Sequence, residues 1–227
     1  MKPGPTYIPT RLNDWFGTPD PPPKRSPLDE LILTILSQNT NDRNRDRAFS
    51  ALVERFPHWK DVLSSSREEL EKVISPAGLG PTKSRRIWRI LLDIPGPDGE
   101  NDGESLGDIC HLSREEARER LTSLKGVGPK TAACVLLFSC GIPAFPVDTH
   151  IFRVCRRLGI LKPGVDRVKA HWILEQFFYE KDYLDVHLNM IRLGREICRS
   201  RNPLCPGCPL GEVCPSFVDL MEKQGDR

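Results

Sequence analysis

No apolar run in this 227-residue chain is long enough to cross a bilayer, and the opening MKPGPTYIPTRL lacks the apolar segment of a secretory signal. These absences point to a reducing compartment, where structural disulfides are not expected and the eight cysteines are better explained in part by metal binding. Excess charge is missing too, at a formal +2, so net charge alone does not announce a nucleic-acid partner. No stretch alternates apolar and polar residues over a useful length, and no internal repeat is present. No long amphipathic helix is left over to pair with a second copy, so a monomer is expected. Hydrophobic content of 38% and charged content of 28% are those of an ordinary globular protein, sized for one large domain or two small ones.

Charge is unevenly placed. Residues 93 to 113 hold six Asp or Glu and no Lys or Arg, whereas Arg153 to Arg201 holds eleven Lys or Arg against six Asp or Glu. Such runs are usually solvated helix faces, but a basic face beside an anion-binding motif suits a polyanion. Prolines at 3, 5, 9, 19, 21, 22, 23 and 27 leave room for only a short helix near Arg11 to Phe16. Beyond them Leu28, Leu31, Ile32, Ile35 and Leu36 recur at helical spacing. A second helix, Arg43 to Phe56, is expected to bury Ala48, Phe49, Leu52, Val53 and Phe56. Ser66 with Glu69 and Ser113 with Glu116 read as capping boxes, and a further helix spans Lys83 to Leu92. Residues 94 to 110 read as a solvated loop, and helices follow at about Asp166 to Tyr179 and Tyr183 to Ile197. The fold class is all-α.

Leu124 to Arg157 organises the rest. Gly126, Val127 and Gly128 make a tight turn onto Pro129, Lys130 and Thr131, which open an apolar helix. Its N-terminal amides form a ready anion site. Asp148 then precedes a helix whose Ile151, Val154, Cys155 and Leu158 share one face. A lysine and a carboxylate near two helix starts are a plausible reactive pair, although a lysine there is more often solvated and an aspartate more often an N-cap.

Cys198, Cys205, Cys208 and Cys214 have the spacing C-x6-C-x2-C-x5-C. Four soft thiolates suit either tetrahedral zinc or a 4Fe-4S cubane, and spacing alone leaves both open. Cys110, Cys134, Cys140 and Cys155 read as free thiols acting as small hydrophobes.

GVGPKTA followed by VDTHIFRVCRR resembles the helix-hairpin-helix DNA glycosylases, most closely the endonuclease III branch, and the four late cysteines sharpen the likeness. It runs from about Leu28 to Cys214. The resemblance implies two helical lobes, a six-helix barrel at about 25–142 ending in the hairpin and a cluster lobe from 1–24 and 143–227, with a DNA-binding cleft between them. It implies one 4Fe-4S cluster on Cys198, Cys205, Cys208 and Cys214, and double-stranded DNA carrying a damaged base or abasic site as partner. Lys130 is then the nucleophile that attacks C1′ to form a Schiff base, and Asp148 relays its proton. An ordinary lysine, with a pKa of about 10.4, is charged at neutral pH, so a desolvated first-turn position is expected to lower it. The backbone of Gly126, Val127 and Gly128 would hold a phosphate, as would Arg199 and Arg201, and His150 would orient Asp148 or meet phosphate. Gln38 or Asn39 would fill the gap left by the flipped nucleotide, and Leu79 would wedge into the opposite strand.

The same resemblance implies excision of oxidised pyrimidines in base excision repair, in the cytoplasm of a prokaryote and at its nucleoid. Gly80 and Pro81 depart from the residues expected in the wedge loop, which keeps a uracil or thymine mismatch glycosylase as the alternative enzyme. An adenine-removing enzyme fits less well, because that branch lacks this lysine. From a different class, a non-catalytic damage-binding protein would bind abasic duplex without cutting it.

Overall fold

The computed structural model describes residues 3–94, 106–217 and 219, and among these it contains eleven α-helices and no strand. The chain divides into two compact units, one of Pro23–Ile142 and one of Met1–Pro22 with Pro143–Arg227.

The first helix, α1 (Tyr7–Phe16), begins four residues before the expected Arg11. Pro9 does not prevent this, because its missing N–H lies in the first turn, where no intrahelical partner exists. Ile8, Pro9 and Leu12 are buried by it.

The Pro23–Ile142 unit is built on α2 (Pro27–Leu36), which Ser26 caps by accepting from the Asp29 amide and Pro27 opens. Every α2 residue except Asp29 is buried, so the helix is a central strut rather than an amphipathic face. Around it come α3 (Asp42–Arg55), α4 (Trp59–Ser64), α5 (Arg67–Val73), α6 (Gly80–Asp93), α7 (Arg114–Ser123) and α8 (Pro129–Cys134). From Val135 to Cys140 the last of these continues as a π-helical turn. Of these, α3, α6, α8 and the π-helical turn pack directly on α2. Full burial of one leucine is worth about 2 kcal/mol, so Leu28, Leu31, Leu33 and Leu36 anchor the unit.

Three expectations for this unit need correction. Val53 is 39% exposed, because α3 buries the narrower stripe Ala48, Leu52 and Phe56, and Val53 lies about 100° round the helix from Leu52. The short α4 was not anticipated; the Asp61 carboxylate accepts from the His58 amide at its start, and the Trp59 indole N–H donates to Asp29 across 3.0 Å. Residues 95–105 of the acidic loop lie outside the described residues, and 106–110 are solvated only at Gly107 and Asp108. Leu106 and Ile109 are buried around a 3-10 turn, and Cys110 forms a disulfide with Cys140. Cys110 and Cys140 are therefore not free thiols.

In the other unit, α9 (Thr149–Arg157), α10 (Arg167–Phe177) and α11 (Tyr183–Glu196) accompany α1. The apolar face Ile151, Val154, Cys155 and Leu158 is buried as its spacing predicts. Phe145 packs against Phe178 and edge-on against Tyr183, and Tyr183 donates its hydroxyl proton to the Glu175 carbonyl.

Candidate active site and cysteine loop

Between α7 and α8 the chain turns within five residues. Gly126 sits at φ +97°, and a Cβ there would stand 2.9 Å from the Arg86 side chain, so both conformation and space call for glycine. Gly128 is the N-cap of α8 in extended conformation and offers no side-chain cap, and Pro129 contributes no N–H. The first amides of α8 are left for an external acceptor. Val127 is buried, and its backbone N–H donates to the Leu124 carbonyl across 3.0 Å, closing the turn. Lys130, half-buried, stands in this first turn.

The loop residues expected at DNA belong to the same unit. Gln38 and Asn39 lie in the turn after α2, where Asn39 takes φ +53° and is exposed. Gln38 is held in place, its Oε1 accepting from Arg86 Nη1 across 2.5 Å. Leu79 starts α6 at φ +52° with 53% of its surface exposed, a conformation uncommon for leucine and an orientation costly for an apolar side chain in water.

In the other unit Asp148 heads α9, its Oδ1 accepting from the Ile151 amide across 2.8 Å. The carboxylate is thus an N-cap in the resting protein. His150 is already engaged: its Nδ1 lies 3.2 Å from Arg153 Nη2, and its side chain packs so closely on Gly194 that a Cβ there would be 2.7 Å from the His150 Cβ and 3.0 Å from Nδ1.

The cysteine loop is stapled from α9. Arg153 donates to the carbonyls of Cys198 and Gly194, and Arg157 donates to the Cys198 thiol (3.3 Å) and to the carbonyls of Arg199 and Ser200. Sequence reading missed both arginines, although their i, i+4 spacing on the face opposite Ile151 and Cys155 was there to be seen. Together with Phe152, Arg156 and Ser216 they line a cleft of about 380 Å³. Arg201 is exposed, while Arg199 donates to the Glu196 carbonyl.

Cys198, Cys205, Cys208 and Cys214 are all unpaired thiols. Burial pushes the Cys208 thiol up to about 11, and Cys205 and Cys214 also rise, burial being the largest cause and the neighbouring Cys198 thiol adding to it. The four groups therefore share one electrostatic neighbourhood. Among the described residues no three His, Cys, Asp or Glu converge as a single-ion site. Four soft thiolates in one neighbourhood are a donor set of the chemistry that either zinc or a 4Fe-4S cluster takes.

Sequence reading also missed the buried cation Lys83, whose Nζ donates to the Leu36 and Ala77 carbonyls at 2.7 and 2.8 Å. No local pattern marks it, since lysine in a helix is ordinarily solvated.

Comparison with known proteins places this arrangement. The profile of the HhH-GPD superfamily of base excision DNA repair proteins matches residues 32–177, and the chain belongs to that superfamily. An Arabidopsis thaliana protein provisionally described as a DNA glycosylase is 40% identical over 204 residues, covering 87% of this chain and 68% of the plant protein. Endonuclease III of Sulfolobus acidocaldarius is 31% identical over 194 residues, covering 83% of this chain and 82% of its own. A solved non-covalent endonuclease III–DNA complex superposes with a TM-score of 0.78 at 29% identity, covering 96% of both chains. Within the superfamily the chain belongs to the endonuclease III family, and it is a base excision repair glycosylase with abasic-site lyase activity.

Proposed function

We propose that Lys130 is the nucleophile of this enzyme and that its substrates are oxidised or ring-fragmented pyrimidines, such as thymine glycol, in duplex DNA. The observation that carries the reading is the position of Lys130 in the first turn of α8, directly after an uncapped glycine turn. A flipped-out nucleotide whose phosphate is held by the backbone amides of Gly126 and Gly128 and the first turn of α8 presents its C1′ to that turn. The neutral Lys130 amine attacks C1′, the base leaves, and the resulting imine permits β-elimination on the 3′ side. Asp148 accepts the lysine proton and stabilises positive charge on the sugar. Gln38 or Asn39 fills the vacated stack, and Leu79, already exposed, wedges the opposite strand.

Cys198, Cys205, Cys208 and Cys214 would hold one 4Fe-4S cluster. Its contribution is structural, fixing the loop that carries Arg199 and Arg201 towards phosphates, while Arg157 stabilises the Cys198 thiolate through its N–H. The protein would act as a monomer on DNA at the nucleoid.

The test is borohydride trapping on end-labelled duplexes carrying an abasic site, thymine glycol, uracil opposite guanine, or no lesion. Wild type should trap on the abasic and thymine glycol duplexes, and Lys130→Ala should bind abasic DNA without trapping. Normal trapping by Lys130→Ala would overturn the assignment. Preference for uracil opposite guanine would replace oxidised pyrimidines with mismatches as the substrate.

A further inference from the structure

Three stretches expected at DNA lie far apart in sequence but in the same compact unit, Pro23–Ile142: the turn after α2, the turn before α6 and the glycine turn before α8. One helix touches all three. The first residue of α6 follows Leu79 directly, and Lys83 and Arg86, spaced i and i+3, share one of its faces. Lys83 Nζ donates to the carbonyls of Leu36 and Ala77, the residues just before the first two turns. Arg86, half-buried, reaches further. Its Nη1 donates to Gln38 Oε1 across 2.5 Å, while its Cγ, Cδ and Nε run along Gly126, 2.9 to 3.0 Å from where a Cβ would stand. A single side chain thus ties the turn after α2 to the glycine turn.

The backbone bonding shows what that tie adds. After α2 the Ser37 amide donates to the Leu33 carbonyl and the Gln38 amide to the Ile35 carbonyl, the latter across 3.3 Å. Beyond them Asn41 fixes the chain again, its Oδ1 accepting from the Asn44 amide at the start of α3. Asn39 lies between these two holds, exposed and at φ +53°. The side-chain hold next to it is therefore Gln38 on Arg86. A guanidinium only donates, so it takes the Gln38 amide through its oxygen, and a bond from a charged donor is about twice as strong as a neutral one. Packing on Gly126 uses the stem of Arg86, which leaves the bond to Gln38 as the contribution of its tip.

We propose that Arg86 is a positioning residue for nucleotide extrusion: through Gln38 it fixes the turn after α2 to the glycine turn, so that filling the vacated stack and holding the flipped strand occur in one register. The proposal rests on the reading that the turn after α2 fills that gap. Gln38 is then the anchor, and the exposed Asn39 is the side chain that enters the stack. Such a tie matters where an orphaned base and its stacked neighbours would otherwise close the gap, as they do in an intact duplex. It matters little where the opposite nucleotide is missing and the stack is already open.

That difference separates positioning from a merely structural role. The test is single-turnover trapping with cyanoborohydride, enzyme in excess, on two duplexes that share one abasic strand. One is intact, and the other omits the nucleotide opposite the abasic site. Arg86→Met keeps a stem over Gly126 but loses the donors, and should slow trapping about tenfold on the intact duplex and less than about twofold on the gapped one. A damaged fold or a lost phosphate contact would slow both alike. Gln38→Ala should show the same split, and the double variant should be no slower than the slower single, because the two side chains act as a unit. Equal slowing on both duplexes, no slowing, or losses that add in the double variant would overturn the proposal. Should Arg86→Met fail to fold, Arg86→Lys replaces it, with a loss of about threefold on the intact duplex and none once Gln38 is alanine. Full activity of Arg86→Lys, or an equal loss without Gln38, overturns the proposal too. Gln38→Ala combined with Asn39→Ala, run alongside, must slow the intact duplex more than the gapped one; if it does not, the gap-filling reading itself fails.

Discussion

Replacing Lys83 with Met should destabilise the protein by an amount that grows with pH. Burial first, and the nearby Arg86 guanidinium second, depress the Lys83 pKa from its usual 10.5 to about 8. The ammonium in the folded state is thus disfavoured by roughly 3 kcal/mol, at 1.36 kcal/mol per pKa unit. Against this stand the hydrogen bonds to Leu36 and Ala77; orphaning both carbonyls costs roughly 2–6 kcal/mol. Below pH 8 both the folded and unfolded lysine are protonated, so Lys83→Met sheds the burial penalty along with the bonds and loses only about 1 kcal/mol. Between pH 8 and 10.5 the unfolded chain binds more protons than the folded one, and stability contributed by Lys83 rises with pH. At about pH 9.5 the gap should have widened by about 2 kcal/mol, or about 1 M in urea midpoint for a slope of about 2 kcal/mol/M. Other titrating groups are common to both proteins and cancel in the difference. Urea unfolding of the pair at neutral and alkaline pH provides the measurement. A gap that is constant or narrows would mean that the buried amine is not held neutral by its surroundings.

Substitutions at three other places in the fold separate roles that the geometry superimposes. Gly126→Ala must place a Cβ at φ +97° against Arg86, and should cost about 1–2 kcal/mol in thermal unfolding and weaken abasic-DNA binding; a neutral effect would show that the turn relaxes freely. Asp148→Asn keeps a cap residue for α9, so stability should stay within about 0.5 kcal/mol while single-turnover cleavage falls at least about 100-fold, whereas Asp148→Ala should also lose about 1 kcal/mol. Full activity in the Asn variant would reduce Asp148 to a cap. The Cys110–Cys140 disulfide closes a separation of 30 residues, and Cys110→Ser with Cys140→Ser should lower stability by about 3.5 kcal/mol. Reductant should bring wild type to the same melting temperature, and an insensitive wild type would argue that the bond does not form.

Much of this fold is legible because its signals are local. Ser66 and Ser113 start helices where their cap patterns put them, a helix starts at Asp166 as expected, and the four-residue face of α9 is buried as its period requires. Errors arise where tertiary context overrules the local pattern. Val53 looks like core on α3 until the width of the buried stripe is known. Cys110 and Cys140 are far apart in sequence, and compartment reasoning argued against joining them. Among the candidate residues, the glycine turn before Lys130 is legible from its residue types, whereas Asp148 reads locally as an ordinary N-cap and only the resemblance singles it out. Glu30, Lys83 and Arg86 are not legible, since a charged residue on a helix is solvated by default and only the packed structure shows it buried or bridging.

The distribution of helix caps bears on the site itself. Ser26, Asn41, Ser66, Ser113, Asp148 and Asp166 each cap a helix with a side-chain oxygen, so this chain uses such caps freely. The helix that carries Lys130 has none, and neither do α1, α6 and α11. A side-chain oxygen at Gly128 would occupy the amides that a phosphate must use, and like the phosphate it would be an acceptor at a helix N-terminus. Nothing lies within 4 Å of a Cβ built on Gly128 and its φ is −99°, so Ser can replace it without strain. Gly128→Ser should therefore stabilise the fold by roughly a few tenths of a kcal/mol while weakening abasic-duplex binding at fixed salt. Stabilisation with unchanged affinity would show that the α8 amides do not hold the DNA. A loss of both would mean that the new side chain obstructs the turn rather than competing for its donors.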